Sequence, residues 1–329
     1  MAGATGRQGS RTAPLPSLTV VIVSFNTREL TLKAVSTLLR NAGNVAMDVM
    51  VWDNASTDGS ADVLERHFPQ VRVIRSDTNV GFARAHNLLS PQIASDYMLL
   101  LNSDTETLPG AIETLLRFAV AHPTAGAVGG RTLFADGSLN PTSCWNRMTP
   151  WSLFCQAVGL TRLAPQSSLF NPEGIGGWQR DSVRHVDIVT GCFLLIRLDV
   201  WRALGGFADR YFMYGEDADL CLRLRQEGYR PMVTPAAQIV HHGGQSVARR
   251  ADKLQQLLRA KASLVTDHWP RGTVSLGIGL LTLWAAVRAA GSRLSGDAER
   301  RAMYAELWRT RRQWRAGYAC DVPFVPPPA

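Results

Sequence analysis

An α/β fold is predicted: a mixed, mainly parallel sheet with flanking helices, followed by a helical extension at the C-terminus. Three features of the sequence predict it. A strand-then-helix rhythm repeats from residue 18 to residue 130, and alternation of this kind builds a parallel sheet covered by helices. Polar clusters follow three of the strands, where ligands bind in sheets of this type. The composition, 46% apolar and 19% charged over 329 residues, suffices to bury one large core or two modest ones.

Residues 1–17, rich in Gly, Ser, Thr, Pro and Arg, read as a flexible tail without the apolar run of a secretory signal. The strand at 18–24 (LTVVIVS) is apolar but too short to cross a bilayer. A helix with an apolar stripe at 29–40, a strand at 47–52, a helix at 61–67 and a strand at 71–75 come next. The rhythm continues with a helix at 82–89, a strand at 97–101, a helix at 110–121 and a strand at 125–130. Between 134 and 185 the periodicity dissolves into a Pro-, Gly-, Ser- and Trp-containing stretch, and a loop of that length is either functional or flexible. Regular structure resumes with a strand at 192–197, a short helix at 199–204, a helix at 216–227, a strand at 229–233 and a closing helix at 248–268.

The domain is expected to span 18–270 and to carry a basic, apolar-patched tail at 271–329. Residues 273–287 (TVSLGIGLLTLWAAV) are apolar but fall short of the roughly 20 needed to span a membrane. Beyond them, Arg288, Arg293, Arg300, Arg301, Arg309, Arg311, Arg312 and Arg315 face only Asp297, Glu299 and Glu306, with Trp284, Trp308 and Trp314 interleaved. That pattern fits an interfacial helix on anionic lipid, a helix packed on the core, or a solvated face. The net charge of +8 suits an anionic partner, but its concentration in the tail directs it away from nucleic acid. Cys144, Cys155, Cys192, Cys221 and Cys320 form an odd set without CxxC spacing, as expected of reduced, mostly buried thiols in a cytoplasmic protein.

Five segments bear on chemistry. Ser24, Asn26 and Thr27 follow the first strand; Asp53, Asn54, Ser56 and Asp58 the second; Asn102, Ser103 and Asp104 the strand at 97–101. Turn chemistry explains one such cluster, and three at one sheet edge suggest a ligand. Asp53, at the tip of a buried strand, is placed to accept hydrogen bonds from a base N–H or ribose hydroxyls, whereas Asp58 also suits a capped turn. Asp104 ends a wholly apolar strand, where a buried carboxylate needs a positive partner; Mg²⁺ or Mn²⁺ with substrate phosphate would serve. Glu216, Asp217 and Asp219 open a helix behind an aromatic loop. The helix dipole accounts for such acids, and a charged, partly shielded carboxylate is also what a general base requires. His241 and His242 follow a strand, and one imidazole beside Asp104 would complete a metal site.

Together the segments VSFN (23–26), DNASTD (53–58), NVGFARAHN (79–87), NSDT (102–105), GGFADRYFMYGED (205–217) and HHGGQS (241–246) resemble family 2 glycosyltransferases, most closely the rhamnosyltransferase-type branch that builds bacterial surface polysaccharides. The resemblance covers about 18–268 and implies the GT-A fold, a Rossmann-like arrangement. It implies a nucleoside-diphosphate sugar donor, dTDP- or UDP-linked, bound by Ser24, Asn26, Asp53, Asn54, Asp58, Gly81, Arg84, Asn102 and Ser103. Asp104 is similar to the last acid of the family's DXD motif and would hold Mg²⁺ or Mn²⁺ with His241; Asn102 replaces the first acid. Asp217, with Glu216 before it, matches the family's Glu-Asp pair and would be the catalytic base of an inverting transfer. A deoxyhexose such as rhamnose, a glycan or polyprenyl-linked acceptor met by the 134–185 stretch, and peripheral contact with the inner face of the plasma membrane complete the expectation. A sugar nucleotidyltransferase would open with a Gly-rich basic phosphate loop, which VSFNTREL lacks. A binding protein without catalysis would not be expected to keep Asp104, Asp217 and His241.

Overall fold

The computed structural model describes residues 14–243, 249–294 and 296–319. Its first part follows the predicted rhythm: β1 (Leu18–Ser24), α1 (Arg28–Asn41), β2 (Met47–Asp53), α2 (Ser60–His67), β3 (Arg72–Arg75), α3 (Phe82–Leu89) and β4 (Tyr97–Leu101). These strands lie in the order β3-β2-β1-β4, all parallel, and β1 and β2 pair from Leu18 opposite Met47 to Ser24 opposite Asp53. Their carboxyl ends therefore share one edge. Side chains alternate between the two faces of a strand. Val21, Met50 and Leu100 accordingly join one buried cluster, while Val20, Ile22, Val51, Leu99 and Leu101 join another.

The second part comprises β5 (Thr105–Thr107), α4 (Ala111–Ala121), β6 (Ala127–Leu133), β7 (Cys144–Trp145), α5 (Pro150–Val158), α6 (Leu160–Leu163), β8 (Arg184–His185), β9 (Ile188–Val189), β10 (Phe193–Arg197), α7 (Leu198–Ala203), α8 (Glu216–Gln226) and β11 (Met232–His241). The sheet continues β4-β10-β6-β11-β5, with β10 antiparallel to both neighbours and β5 antiparallel to β11. The fold class is the predicted one, with the parallel strands gathered on one side and the mixed pairing on the other.

Three predicted elements are corrected. The strand expected at 229–233 begins at Met232 and runs to His241, through Pro235 and a register shift between Thr234 and Gln238. Proline and a bulge interrupt the strand pattern without ending the strand. The stretch at 134–185 is not a plain loop: it contains α5, started by Thr149, whose hydroxyl accepts the Ser152 N–H while Ser152 caps back. Serine in place of Glu or Gln hid this capping box. The apolar tail segment is longer than 273–287, because the helix over 271–292 is long and apolar enough, by length and composition, to cross a membrane.

The chain closes with α9 (Arg250–His268), α10 (Val274–Ser292), α11 (Ala298–Arg309) and α12 (Arg311–Arg315). Leu258, Ala262 and Val265 of α9, Leu281 and Ala285 of α10, Leu307, Trp314 and Leu153 of α5 form a third buried cluster. One side of the tail is thus packed on the domain. Ser17 is tied to Asp96 through its N–H (2.8 Å) and hydroxyl (2.7 Å). The rest of the expected N-terminal tail through residue 13, the helix start at Ala248 and Cys320 lie outside the described residues. Cys144, Cys155, Cys192 and Cys221 are free and buried.

Candidate active site

A cleft of about 640 Å³ opens beyond the carboxyl ends of β1, β2 and β4, within the range of small-molecule pockets. Asp104, His241, Glu216 and Asp217 all line it.

Asp104 and His241 meet because β5 pairs with β11. Thr105 stands opposite His241, and the His242 N–H donates to the Asp104 carbonyl at 3.0 Å. Asp104 Oδ1 comes to 3.1 Å from His241 Nε2, and Asn102 Nδ2 to 3.5 Å from the same nitrogen. Ligand atoms at adjacent corners of an octahedral site, each about 2.0–2.1 Å from the ion, are about 3 Å apart, so this donor pair fits a Mg²⁺ or Mn²⁺ ion that draws its other ligands from water and phosphate. His242 is engaged elsewhere: its Nε2 lies 2.6 Å from Glu106 Oε1, which Lys33 also holds at 2.7 Å. Burial works against an imidazolium at His241, but the Asp104 hydrogen bond, helped by Cys192, outweighs it and lifts the pKa to about 10. Burial pushes Asp104 up, and His241 more than reverses this, leaving its carboxyl below the ordinary range. A cation held here would have to displace the His241 proton.

At the same cleft, α8 is preceded by Gly215, whose φ of +95° suits glycine and where a Cβ would stand 2.8 Å from the Tyr211 ring. Asp217 Oδ2 accepts the Gly191 N–H at 3.1 Å and Oδ1 the Ala218 N–H at 2.7 Å. Glu216 Oε2 is buried without a hydrogen-bond partner among the described residues. Burial raises both carboxyls, and the neighbouring Asp217 charge drives Glu216 well above the ordinary range. Adjacent buried acids ionise one at a time; Asp217, with two N–H donors, is the first to do so. Asp219 belongs to the fold, since it pairs with Arg223 at 2.8 Å and His268 at 2.9 Å.

Of the expected donor-binding residues, Asn54, Gly81, Asn102 and Ser103 line the cleft. Asn54 also builds the wall, accepting the Val80 N–H at 2.8 Å and donating to Asn79 Oδ1 at 2.8 Å. Asp53 lies just behind, buried, with Oδ1 lacking a described partner. Ser24, Asn26, Asp58 and Arg84 are not among the lining residues. The buried Ser24 hydroxyl bonds Thr31 at 2.8 Å, and Asn26 Oδ1 accepts the Thr57 N–H at 2.8 Å. Asp58 accepts the Arg28 N–H at 2.9 Å and the Ser60 N–H at 3.0 Å, serving the starts of α1 and α2. Arg84 is exposed on α3.

The sequence reading did not single out Asn140, Thr142, Trp145, Thr190, Gly191, Lys253 and Leu257, which also line the cleft. The first three fall in the irregular stretch already noted as functional or flexible. Nothing in the α9 sequence marks Lys253.

Gly81 (φ +86°) approaches Phe212 so closely that a Cβ would stand 2.5 Å from its ring and 2.6 Å from its carbonyl oxygen. Gly81→Ala is expected to destabilise the fold by about 1–3 kcal/mol, measured by urea unfolding. The raised pKa of Glu216 carries its own sign. Its contribution to stability is complete below the unfolded value near 4.5 and is lost as pH rises through the folded value. Glu216→Gln should therefore raise Tm at pH 7–8 relative to wild type, with the gain vanishing near pH 4; an offset that does not change with pH would refute the burial of a charge there.

A cleft at the ends of parallel strands, lined by an acid–histidine pair that fits a metal and by a buried carboxylate pair, suits a group-transfer enzyme. Residues 19–187 match the model of Glycosyl transferase family 2, and the chain belongs to that family: it is a glycosyltransferase. It is 30% identical over 231 residues, 62% of this chain and 69% of the relative, to N-acetylglucosaminyl-diphospho-decaprenol L-rhamnosyltransferase of Mycobacterium tuberculosis. It is 26% identical over 260 residues to the O-antigen biosynthesis protein RfbC of Myxococcus xanthus, covering 76% of this chain and 18% of that one. The fold is that of the mannosyltransferase PcManGT from Pyrobaculum calidifontis, solved with GDP-Man and Mn²⁺, at a TM-score of 0.56 and 18% identity over 94% of this chain and 87% of the other.

Proposed function

We propose that the protein is an inverting, Mg²⁺- or Mn²⁺-dependent glycosyltransferase. In this reading it moves a deoxyhexose such as rhamnose from a dTDP- or UDP-linked donor to a polyprenyl-linked glycan, at the inner face of the plasma membrane. The convergence of Asp104, His241, Glu216 and Asp217 on one cleft carries the proposal. Similarity to the mycobacterial L-rhamnosyltransferase supports the sugar and the lipid-linked acceptor. The Oδ1 of Asp53, without a hydrogen-bond partner among the described residues and next to cleft-lining Asn54, suits the N–H of a pyrimidine or a ribose hydroxyl.

Asp104 and His241 would hold the cation, which when bound neutralises charge developing on the departing diphosphate. Asp217, oriented by the Gly191 N–H, takes the proton of the acceptor hydroxyl as that oxygen bonds to the anomeric carbon. The bond from the anomeric carbon to the phosphate oxygen breaks on the opposite side, its electron pair leaves with the nucleoside diphosphate, and the configuration inverts. Trp145, Lys253 and Leu257 supply the rest of the cleft wall. The proposed catalytic domain is 18–270, with 271–329 making peripheral membrane contact.

Thermal unfolding with a panel of nucleotide sugars, with and without Mn²⁺, tests the reading. One donor at 100 times its Kd should stabilise the protein by about 2.7 kcal/mol only when Mn²⁺ is present. No shift with any pyrimidine-linked sugar would refute it.

A further inference from the structure

We propose that an acid-free apolar face shared by α5, α6 and α10 seats the enzyme on an anionic lipid bilayer. Along α10, Leu276, Leu283 and Val287 are exposed at spacings of one helix face, and Leu294 follows just beyond its end. On α5, which packs against α10, Trp151, Phe154 and Val158 are exposed at the same kind of spacing, with Leu163 of α6 81% exposed beside them. None of the three helices contains an Asp or Glu. Isolated exposed apolar residues need no explanation, but a grouped set without acids marks a surface made to be covered.

The two helices are joined at one end by Arg288. Its guanidinium donates to the Gln156 carbonyl at 3.0 Å and the Ala157 carbonyl at 3.4 Å, and lies 4.1 Å from the centre of the Trp284 ring. That contact brings the exposed Val158 and Val287 into one neighbourhood. Arg162, Arg271 and Arg293 are exposed at the ends of the same helices, and none has an ion-pair partner among the described residues. Burial, joined by the charge of Arg162 and Arg300, pulls the Arg288 guanidinium below its ordinary value, so Arg162, Arg288 and Arg300 gather at one end of the face, while Arg271 stands at the other end of α10.

Exposed apolar residues, Trp151 among them, with arginines at the helix ends match the headgroup region of an anionic leaflet, where aromatic rings and arginines are both accommodated. Pairing of the face with a second copy would set the same arginine rim against itself. Spanning is opposed by the other side of α10, whose Leu281 and Ala285 are packed against α5 and α9. Lying flat leaves that packing intact. The same α9 offers Lys253 and Leu257 to the cleft, so the bilayer would rest one helix away from the reacting atoms, where a lipid-linked acceptor must arrive. The purpose of the face rests on the acceptor proposed above; its lipid binding does not.

The full chain would be sedimented with vesicles of phosphatidylcholine alone or with phosphatidylglycerol, at low and high salt. Transfer to a water-soluble acceptor lacking the polyprenyl chain would be assayed in parallel. Wild type should bind the anionic vesicles at least tenfold better than the neutral ones and lose that margin at high salt. The pair Leu283→Glu and Val287→Glu should weaken binding at least tenfold while turnover of the soluble acceptor is unchanged, and the separate pair Trp151→Ser and Phe154→Ser should weaken binding at least tenfold. Wild type left in the supernatant, unaltered binding in both double variants, or vesicle attachment that survives alkaline carbonate would overturn the proposal. So would a lipid-free dimer that both variants convert to monomer. Normal vesicle binding without transfer to any sugar acceptor would instead sink the function proposed above and leave this face standing.

Discussion

Asp217→Asn is expected to leave donor affinity within about twofold of wild type and to cut turnover by about 10²–10⁴, the span that a positioned general base contributes. The asparagine keeps the size of the side chain and one oxygen to accept the Gly191 N–H, so the cleft should keep its shape while losing its proton acceptor. Burial raises the Asp217 carboxyl above its solution value of 3.8. Because the base must be ionised, wild-type turnover should rise with pH through an acid limb lying above 3.8, and that limb should be missing from the residual activity of the variant. Steady-state kinetics across pH with saturating donor checks both statements. Full activity in the variant would remove Asp217 from the chemistry.

Asp104→Ala is the second large effect. It removes the carboxylate that faces His241 at 3.1 Å and with it one of the two protein ligands proposed for the cation. Nucleoside diphosphate binding by calorimetry should become insensitive to Mn²⁺ in the variant, with turnover down by at least about 10² as the leaving diphosphate loses its counter-charge. In wild type, Mn²⁺ uptake should release about one proton at neutral pH, since His241 in the metal-free protein holds its proton up to about pH 10. Metal affinity should consequently weaken as pH falls. An unchanged Mn²⁺ response in Asp104→Ala would move the metal elsewhere.

How far the sequence reveals this site depends on the kind of signal. Asp104 is legible because an acid ends the wholly apolar run YMLLL, a pattern with few structural uses. The histidine pair is legible too, but the choice between His241 and His242 is not. That choice follows from the register of β5 against β11, and β5 is only three residues long, too short for any periodicity to show. Asp58 is ambiguous in sequence: a carboxylate that starts two helices, as it does here, has the same neighbours as one that binds a ligand. The strand rhythm from β1 to β4 is legible because β1, β4 and most of β2 are buried on both faces, which leaves near-continuous apolar runs. The mixed half is harder to read, since Pro235 and the irregular pairing after Thr234 break the pattern of β11. Lys253 comes to the cleft from a helix more than a hundred residues beyond β4 in sequence; its position is a product of tertiary packing alone.

Anomalous diffraction at the manganese edge, from crystals grown with Mn²⁺ and dTDP, tests the central claim most directly. A single peak bonded to Asp104 Oδ1 and His241 Nε2 at about 2.0–2.2 Å, with the diphosphate between it and Asp217, is the predicted result. Nucleotide bound with the manganese held by other residues, or with the diphosphate turned away from Asp217, would contradict it.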